Sequence, residues 1–292
     1  MENTKLLKHF KNLNYQNRYM ELYNETMTAW PVKYSEHYIE TDYGQTYVIE
    51  CGDASLPPLV MMHWFCYNST IWKPMIKNLS SVFHVYMIDV IGDMGKSNAE
   101  HPPKNSEQLA LWGSQVLDGL DLETTNLLGF SNGGFTAATI AQYFPDRFEK
   151  VILLAPAATI KAPGWNFYKS VFSTMFFPGE GRINKFIKSF SAFPERWTDS
   201  MKEMLLMPFT GGKIQVKIWP KVYSQKKLSR LTMPVLVILG EDETMYDPKK
   251  VEKRAKERIP GCNVELINQC KHSIPYDQPE EVVKLIKTFL SS

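Results

Sequence analysis

The chain has 292 residues, 33 Lys and Arg against 31 Asp and Glu, 44% hydrophobic residues and four cysteines. That length supplies a large core and fits one α/β domain carrying an insertion, while the near balance of charge gives no electrostatic reason to invoke nucleic acid. Cys51, Cys66, Cys262 and Cys270 form no C-x-x-C pair and are too sparse for a disulfide framework, so reduced thiols are expected; six scattered histidines without close ligand spacing give no basis for a metal or other cofactor.

In chain order, Met1 to Lys5 has a few charges but no apolar core or cleavage site, and nowhere do about 18 apolar residues run together. A soluble, cytoplasmic protein without a membrane partner is expected. A polar helical segment to about Thr28 opens the chain, giving an N-terminal helical extension over 1–33. Alternating strand-like runs follow at 38–41 and 46–50, antiparallel about the turn Asp42-Tyr43-Gly44. From residue 58 the pattern changes to apolar strands alternating with helices, the strands at 58–62, 85–90, 126–130, 151–155, 235–240 and 264–267. Such alternation predicts an α/β fold, a mostly parallel central sheet with helices on both faces.

The interval 161–231 breaks this rhythm. It is rich in aromatics and methionine, shows no strand alternation, and its prolines at 163, 178, 194, 208 and 220 are expected to cut it into short helices. It reads as a helical cap inserted into a core formed by 1–160 and 232–292. Most of its aromatics are expected to pack its own small core, and some to line a pocket.

Gly129-Phe130-Ser131-Asn132-Gly133 lies between the 126–130 strand and an amphipathic stretch from Phe135 to Tyr143. That is the strand, sharp turn and helix of a G-x-S-x-G nucleophile elbow, in which glycines at both ends admit a strained backbone and the serine hydroxyl stands above the sheet. The pentapeptide alone equally describes a glycine-rich turn with a serine cap. A serine hydroxyl needs a base to act as nucleophile, and the base needs an acid to hold its tautomer. His272, in the loop after the 264–267 strand, occupies the place and order of the base; His63, before the serine, is read as structural. For the acid, Glu241, Asp242, Glu243 and Asp247 all follow the 235–240 strand. The spacing favours Glu243, three positions past Gly240, with Asp242 second.

These residues resemble the α/β-hydrolase superfamily, and within it bacterial serine carboxylesterases that hydrolyse esters of arylpropionic acids such as naproxen. The matching stretches span nearly the whole chain: Tyr23-Asn24-Glu25, Trp30-Pro31-Val32, Gly44-Gln45-Thr46, His63 through Trp72, Asp89 to Asp93 with Lys96-Ser97, the elbow, Gly240 with Glu243, Tyr246-Asp247-Pro248, and His272 with Gln278-Pro279. The resemblance implies Ser131 as nucleophile, His272 as base and Glu243 as acid, with an oxyanion hole from the backbone N–H groups of Phe65 and Asn132. It departs at Trp64 and Lys271, where the family usually has glycine. Trp64 is expected to narrow the site, and Lys271 to shift the His272 loop or set a cation beside it.

The expected activity is hydrolysis of small-molecule carboxylic esters with hydrophobic groups. Trp64, Trp165, Phe172 and Phe176 are the aromatics expected at the substrate pocket. Thioesterase, lactonase, carbon–carbon bond hydrolase and cofactor-free haloperoxidase chemistry share such a triad, and a ligand sensor that does not turn over is a further reading, favoured by Trp64. Oligomeric state is not readable from these patterns.

Overall fold

The computed structural model describes residues 6–292. In chain order the elements are α1 (Leu13–Thr28), β1 (Ser35–Thr41), β2 (Gly44–Cys51), β3 (Pro58–Met62), α2 (Lys73–Leu79), β4 (His84–Ile88), β5 (Asn98–Ala99), α3 (Ser106–Gly119), β6 (Thr125–Phe130), α4 (Asn132–Tyr143), β7 (Phe148–Leu154), α5 (Trp165–Phe176), α6 (Glu180–Phe190), α7 (Asp199–Gly211), α8 (Gln225–Leu228), β8 (Val235–Gly240), α9 (Pro248–Arg258), β9 (Asn263–Ile267), α10 (Ile274–Asp277) and α11 (Pro279–Ser291). Part of the expected N-terminal extension, residues 1–5, lies outside the described residues.

The strands form one sheet in the order β1-β2-β4-β3-β6-β7-β8-β9, with the two-residue β5 paired to β2. From β4 to β9 every neighbouring pair is parallel; β1 and β2 form an antiparallel hairpin at one edge, and β2 joins β4 antiparallel. Burial explains the apolar runs. All residues of β4, β6 and β8 are buried, as covering both faces requires, whereas β1 alternates between exposed and half-buried positions, as an edge strand does.

The expected strand at 85–90 ends at Ile88, because the next two residues turn their polar groups to other tasks. The Asp89 carboxylate accepts the N–H groups of Ser69 and Lys96, both at 2.8 Å. The Val90 N–H is donated to His63 Nε2 at 2.9 Å.

Between β7 and β8 stand α5 to α8. In α6 the residues Ile183, Phe186, Ile187 and Phe190 are buried, the i, i+3, i+4, i+7 stripe of a helix lying on a core. Pro208 does not end a helix as expected; it sits inside α7. It lies three residues before the end of α7, and its missing N–H forfeits the single bond to the carbonyl four residues earlier, that of Met204.

The N-terminal segment clamps α7. Arg18 grips Glu203 through two nitrogens at 2.7 and 2.6 Å, the Lys213 N–H reaches the His9 carbonyl at 2.7 Å, and the Lys11 N–H the Gly211 carbonyl at 3.1 Å. His9 is buried, its Nε2 paired with the Gly95 carbonyl at 3.0 Å, so the neutral ring carries its proton on that nitrogen. Burial lowers its pKa from 6.5 to about 4. Below pH 6.5 the unfolded chain therefore binds a proton that the folded chain refuses, and stability falls as the pH drops towards 4. Urea midpoints measured from pH 7 to pH 4 are expected to show a loss of order 3 kcal/mol from this group, and His9→Gln to flatten that part of the profile. An unchanged profile in His9→Gln would remove His9 as its cause.

Candidate active site

Three loops at the C-terminal ends of parallel strands meet here. β6 runs directly into Ser131, whose φ of 54° and ψ of −112° lie outside the regions open to ordinary side chains. The surroundings over-determine this strain: the Ser131 N–H donates to the Leu154 carbonyl (2.8 Å), and the Ser131 carbonyl accepts from the N–H groups of Ala157 (2.9 Å) and Phe135 (3.1 Å). A β-carbon at Gly129 would lie 2.3 Å from the Gly133 carbonyl oxygen, and one at Gly133 only 2.1 Å from that of Met62. Strand, elbow and helix therefore approach backbone to backbone.

The Ser131 hydroxyl lies 2.8 Å from His272 Nε2. His272 Nδ1 lies 2.9 Å and 3.1 Å from the two carboxylate oxygens of Glu243. Glu243 Oε1 also accepts the N–H groups of Thr244 and Met245, both at 2.8 Å, so the carboxylate is held by its own loop before it meets the ring. With Glu243 accepting at Nδ1, that nitrogen carries the proton and Nε2 is free to accept from the serine. Of the other candidate acids, Glu241 and Asp242 are exposed, and Asp247 caps α9 by accepting from the Lys249 and Lys250 N–H groups.

The His272 loop is pinned by a residue not singled out from the sequence. Asp277 is buried and accepts the N–H groups of Lys271 and Ala192, both at 2.9 Å, and the Ser191 hydroxyl at 2.5 Å. Burial pushes its pKa up against the pull of these donors. The Ser273 N–H adds a bond to the Phe190 carbonyl at 2.9 Å. Lys271 does not leave its charge loose beside the ring: its ammonium donates to the Lys188 carbonyl, in the last turn of α6, at 2.9 Å, where a cation is favoured by the helix end.

On the opposite side, His63 is structural, as expected. Its Nε2 accepts from Val90, so Nδ1 donates to the Trp64 carbonyl at 2.6 Å, and burial lowers its pKa. Next along this loop, Cys66 has a φ of 64° and its N–H donates to both carboxylate oxygens of buried Asp93, at 3.0 and 3.2 Å. Phe65 stands between these two anchors. Neither the Phe65 nor the Asn132 N–H is bonded to another described residue.

Aromatic rings roof the site. Trp64 is buried, stacks on Phe130 at 5.5 Å between centroids, and lies 6.5 Å from the His272 ring. Phe190 meets the same imidazole edge-on at 5.0 Å and is itself backed by Phe167 and Phe186. Trp165, Phe172 and Phe176, expected at the pocket, instead stand exposed on α5, with no ring contact to the triad residues. Phe190 takes their expected place; its position in the apolar stripe of α6 was readable, but its contact with His272 depends on how α6 docks. Ser131 is only 6% exposed beneath this roof.

Gly133→Ala forces a β-carbon into the Met62 backbone and is expected to lower the melting temperature, together with reactivity at Ser131; an unchanged melting temperature would refute this account of the elbow. Trp64→Ala removes a buried ring and is expected to cost about 3–5 kcal/mol in urea unfolding. A loss under about 1 kcal/mol would mean that the ring is not packed as described.

The chain is similar over nearly its full length to known proteins. It is 30% identical over 287 residues to an uncharacterized carboxylesterase, nap, of Bacillus subtilis (strain 168), a match that covers 94% of this chain and 93% of that one. It is 28% identical to carboxylesterase YbfK of the same strain, with the same coverage of both chains. The crystal structure of naproxen esterase (carboxylesterase NP) from Bacillus subtilis superposes with a TM-score of 0.90 at 28% identity, covering 96% of this chain and 99% of that one. A family model described as alpha/beta hydrolase fold matches residues 57–279, from the start of β3 to the start of α11, and the chain is accordingly a member of the alpha/beta hydrolase fold family.

Proposed function

We propose that the chain is a serine carboxylesterase acting on small-molecule esters with hydrophobic groups. The observation that carries the reading is the unbroken chain of short contacts from Ser131 Oγ through His272 to Glu243, at 2.8 and 2.9 Å, inside an apolar enclosure. The carboxylesterase names of relatives aligned over 94% of the chain support it.

In the first step His272 Nε2 takes the Ser131 proton as Oγ attacks the ester carbonyl carbon. Negative charge gathers on the carbonyl oxygen, and the N–H groups of Phe65 and Asn132, not engaged by the described residues, stabilise it. Glu243 holds the Nδ1–H and stabilises the imidazolium. His272 then protonates the departing alcohol, leaving an acyl group on Ser131. Water, deprotonated by the same nitrogen, attacks that acyl group; the bond to Ser131 Oγ breaks, His272 returns the proton to Oγ, and the acid is released. Because His63 and Asp93 fix the backbone on either side of Phe65, this donor keeps its direction despite Trp64.

Residues 161–231 serve as the cap over the site, and their contribution at the imidazole is Phe190. With Trp64 and Phe130 it makes flat apolar walls, which suit an aryl or similarly planar group. That fits the name of the naproxen esterase. Free thiols at all four cysteines fit a reducing compartment such as the cytoplasm.

The test is turnover of short and medium p-nitrophenyl acyl esters, with a fluorophosphonate label located by mass spectrometry. Ser131→Ala is expected to lower kcat by about six orders of magnitude and to abolish labelling. Glu243→Gln, which disrupts the tautomer, is expected to lower kcat by on the order of 10⁴. Full turnover in Ser131→Ala, or a label on another residue, would overturn the assignment.

A further inference from the structure

Charge is segregated along this chain in a way that its overall composition hides. Residues 161–231 hold 13 Lys and Arg against four Asp and Glu, a net of +9, while the whole chain carries +2, so the remaining residues carry −7. Within 161–190 five cations, Lys161, Lys169, Arg182, Lys185 and Lys188, face one acid, Glu180.

The same segment bears the largest exposed aromatic surface among the described residues. Trp165 is 68% exposed, Phe172 46%, Phe176 69% and Phe177 67%. Tyr168, Phe172 and Phe176 follow one another along α5 with ring centroids 6.3 Å apart, a continuous strip rather than scattered single residues. Thr174 is the only fully buried residue of this 12-residue helix. The internal packing of the protein therefore does not account for the apolar face of α5. Cations border it closely: the Lys169 ammonium lies 5.9 Å from the Trp165 ring centroid and the Arg182 guanidinium 5.6 Å from that of Phe177. Arg182, Lys185 and Lys188 are exposed, turned away from the buried stripe of α6.

We propose that the α5 face docks on an anionic lipid surface, with the aromatic strip entering the boundary between headgroups and acyl chains and the cations meeting lipid phosphates. Tryptophan and phenylalanine bordered by lysine and arginine form the combination that holds a helix in the plane of such a boundary. A second copy of the chain is a poor occupant, since two faces with this cationic rim repel each other. Nor does the contact require a spanning segment: no helix among the described residues is long and apolar enough to cross a membrane. The proposal goes beyond the esterase reading, does not depend on it, and revises the expectation of no membrane partner.

Docking also orients the site. The Gly164 N–H, at the start of α5, bonds to the Met245 carbonyl at 2.7 Å, in the loop that carries Glu243. Phe167, on α5, packs on Phe190, which touches His272. The triad thus lies directly behind the docking face, positioned for hydrophobic esters dissolved in the lipid.

The experiment is co-sedimentation of the full chain with vesicles of equal parts phosphatidylglycerol and phosphatidylcholine, and with vesicles of phosphatidylcholine alone, at low and high salt. Two variants run beside it: Phe176→Ser with Phe177→Ser, and Lys169→Glu with Arg182→Glu and Lys185→Glu. Circular dichroism melting checks that both fold, and the charge variant is expected to keep its turnover of a soluble ester. Binding to the anionic vesicles is expected, weakening with salt as the Debye length shrinks from about 10 Å at 0.1 M to about 3 Å at 1 M. It is expected to fall by more than about tenfold in each folded variant and on the neutral vesicles. No binding to anionic vesicles at low salt, equal binding to neutral ones, or binding unchanged in the variants would overturn the proposal. So would self-association of the wild type in sedimentation velocity that Phe176→Ser with Phe177→Ser abolishes, which would assign the strip to a second copy.

Discussion

The 2.8 Å contact between Ser131 Oγ and His272 Nε2 joins residues 141 positions apart, and much of the surrounding structure keeps that contact short. Neither side chain is held by the other alone. Ser131 is fixed by a strained turn whose backbone bonds run to β7 and the loop after it. The His272 loop is fixed by buried Asp277, which draws the loop and residues 191–192 together through three donors. Glu243 is fixed by two N–H groups of its own loop. Each partner is thus pre-positioned by groups outside the Ser131, His272 and Glu243 contacts themselves, the arrangement that lets fixed dipoles act without reorganising.

The aromatic roof follows from the same requirement. A hydrogen-bonded imidazole and carboxylate gain strength where water is excluded, and Trp64, Phe130 and Phe190 exclude it by packing directly on the His272 ring. The tryptophan that replaces the usual glycine of this loop therefore acts less as an obstruction than as part of the wall. Its backbone is tied down by His63 on one side, and that of Cys66 by Asp93 on the other. The consequence is a nearly closed serine, 6% exposed, beneath rings of which Phe190 and Phe167 belong to the helices between β7 and β8. Those helices also carry the excess of positive charge and the exposed rings of α5.

The sequence by itself determined the α/β alternation, the place of nearly every strand, and the serine, acid and histidine loops, because each is a local pattern: apolar runs set by burial on both faces, and glycines where backbones approach. It left Glu243 and Asp242 open, since neighbouring carboxylates on one loop look alike until the fold buries one and exposes the other. Only the tertiary structure decided that Phe190, and not Trp165, Phe172 or Phe176, stands against His272, because helical periodicity names a face but not the surface that the face meets. It also decided that Pro208 lies within the last turn of α7, where the helix continues past a proline at the loss of one backbone bond. The roles of Asp277 and Asp93 were hidden for the same reason: a buried carboxylate acquires its meaning from donors that the chain brings to it from elsewhere, and composition counts the charge without showing where it is spent.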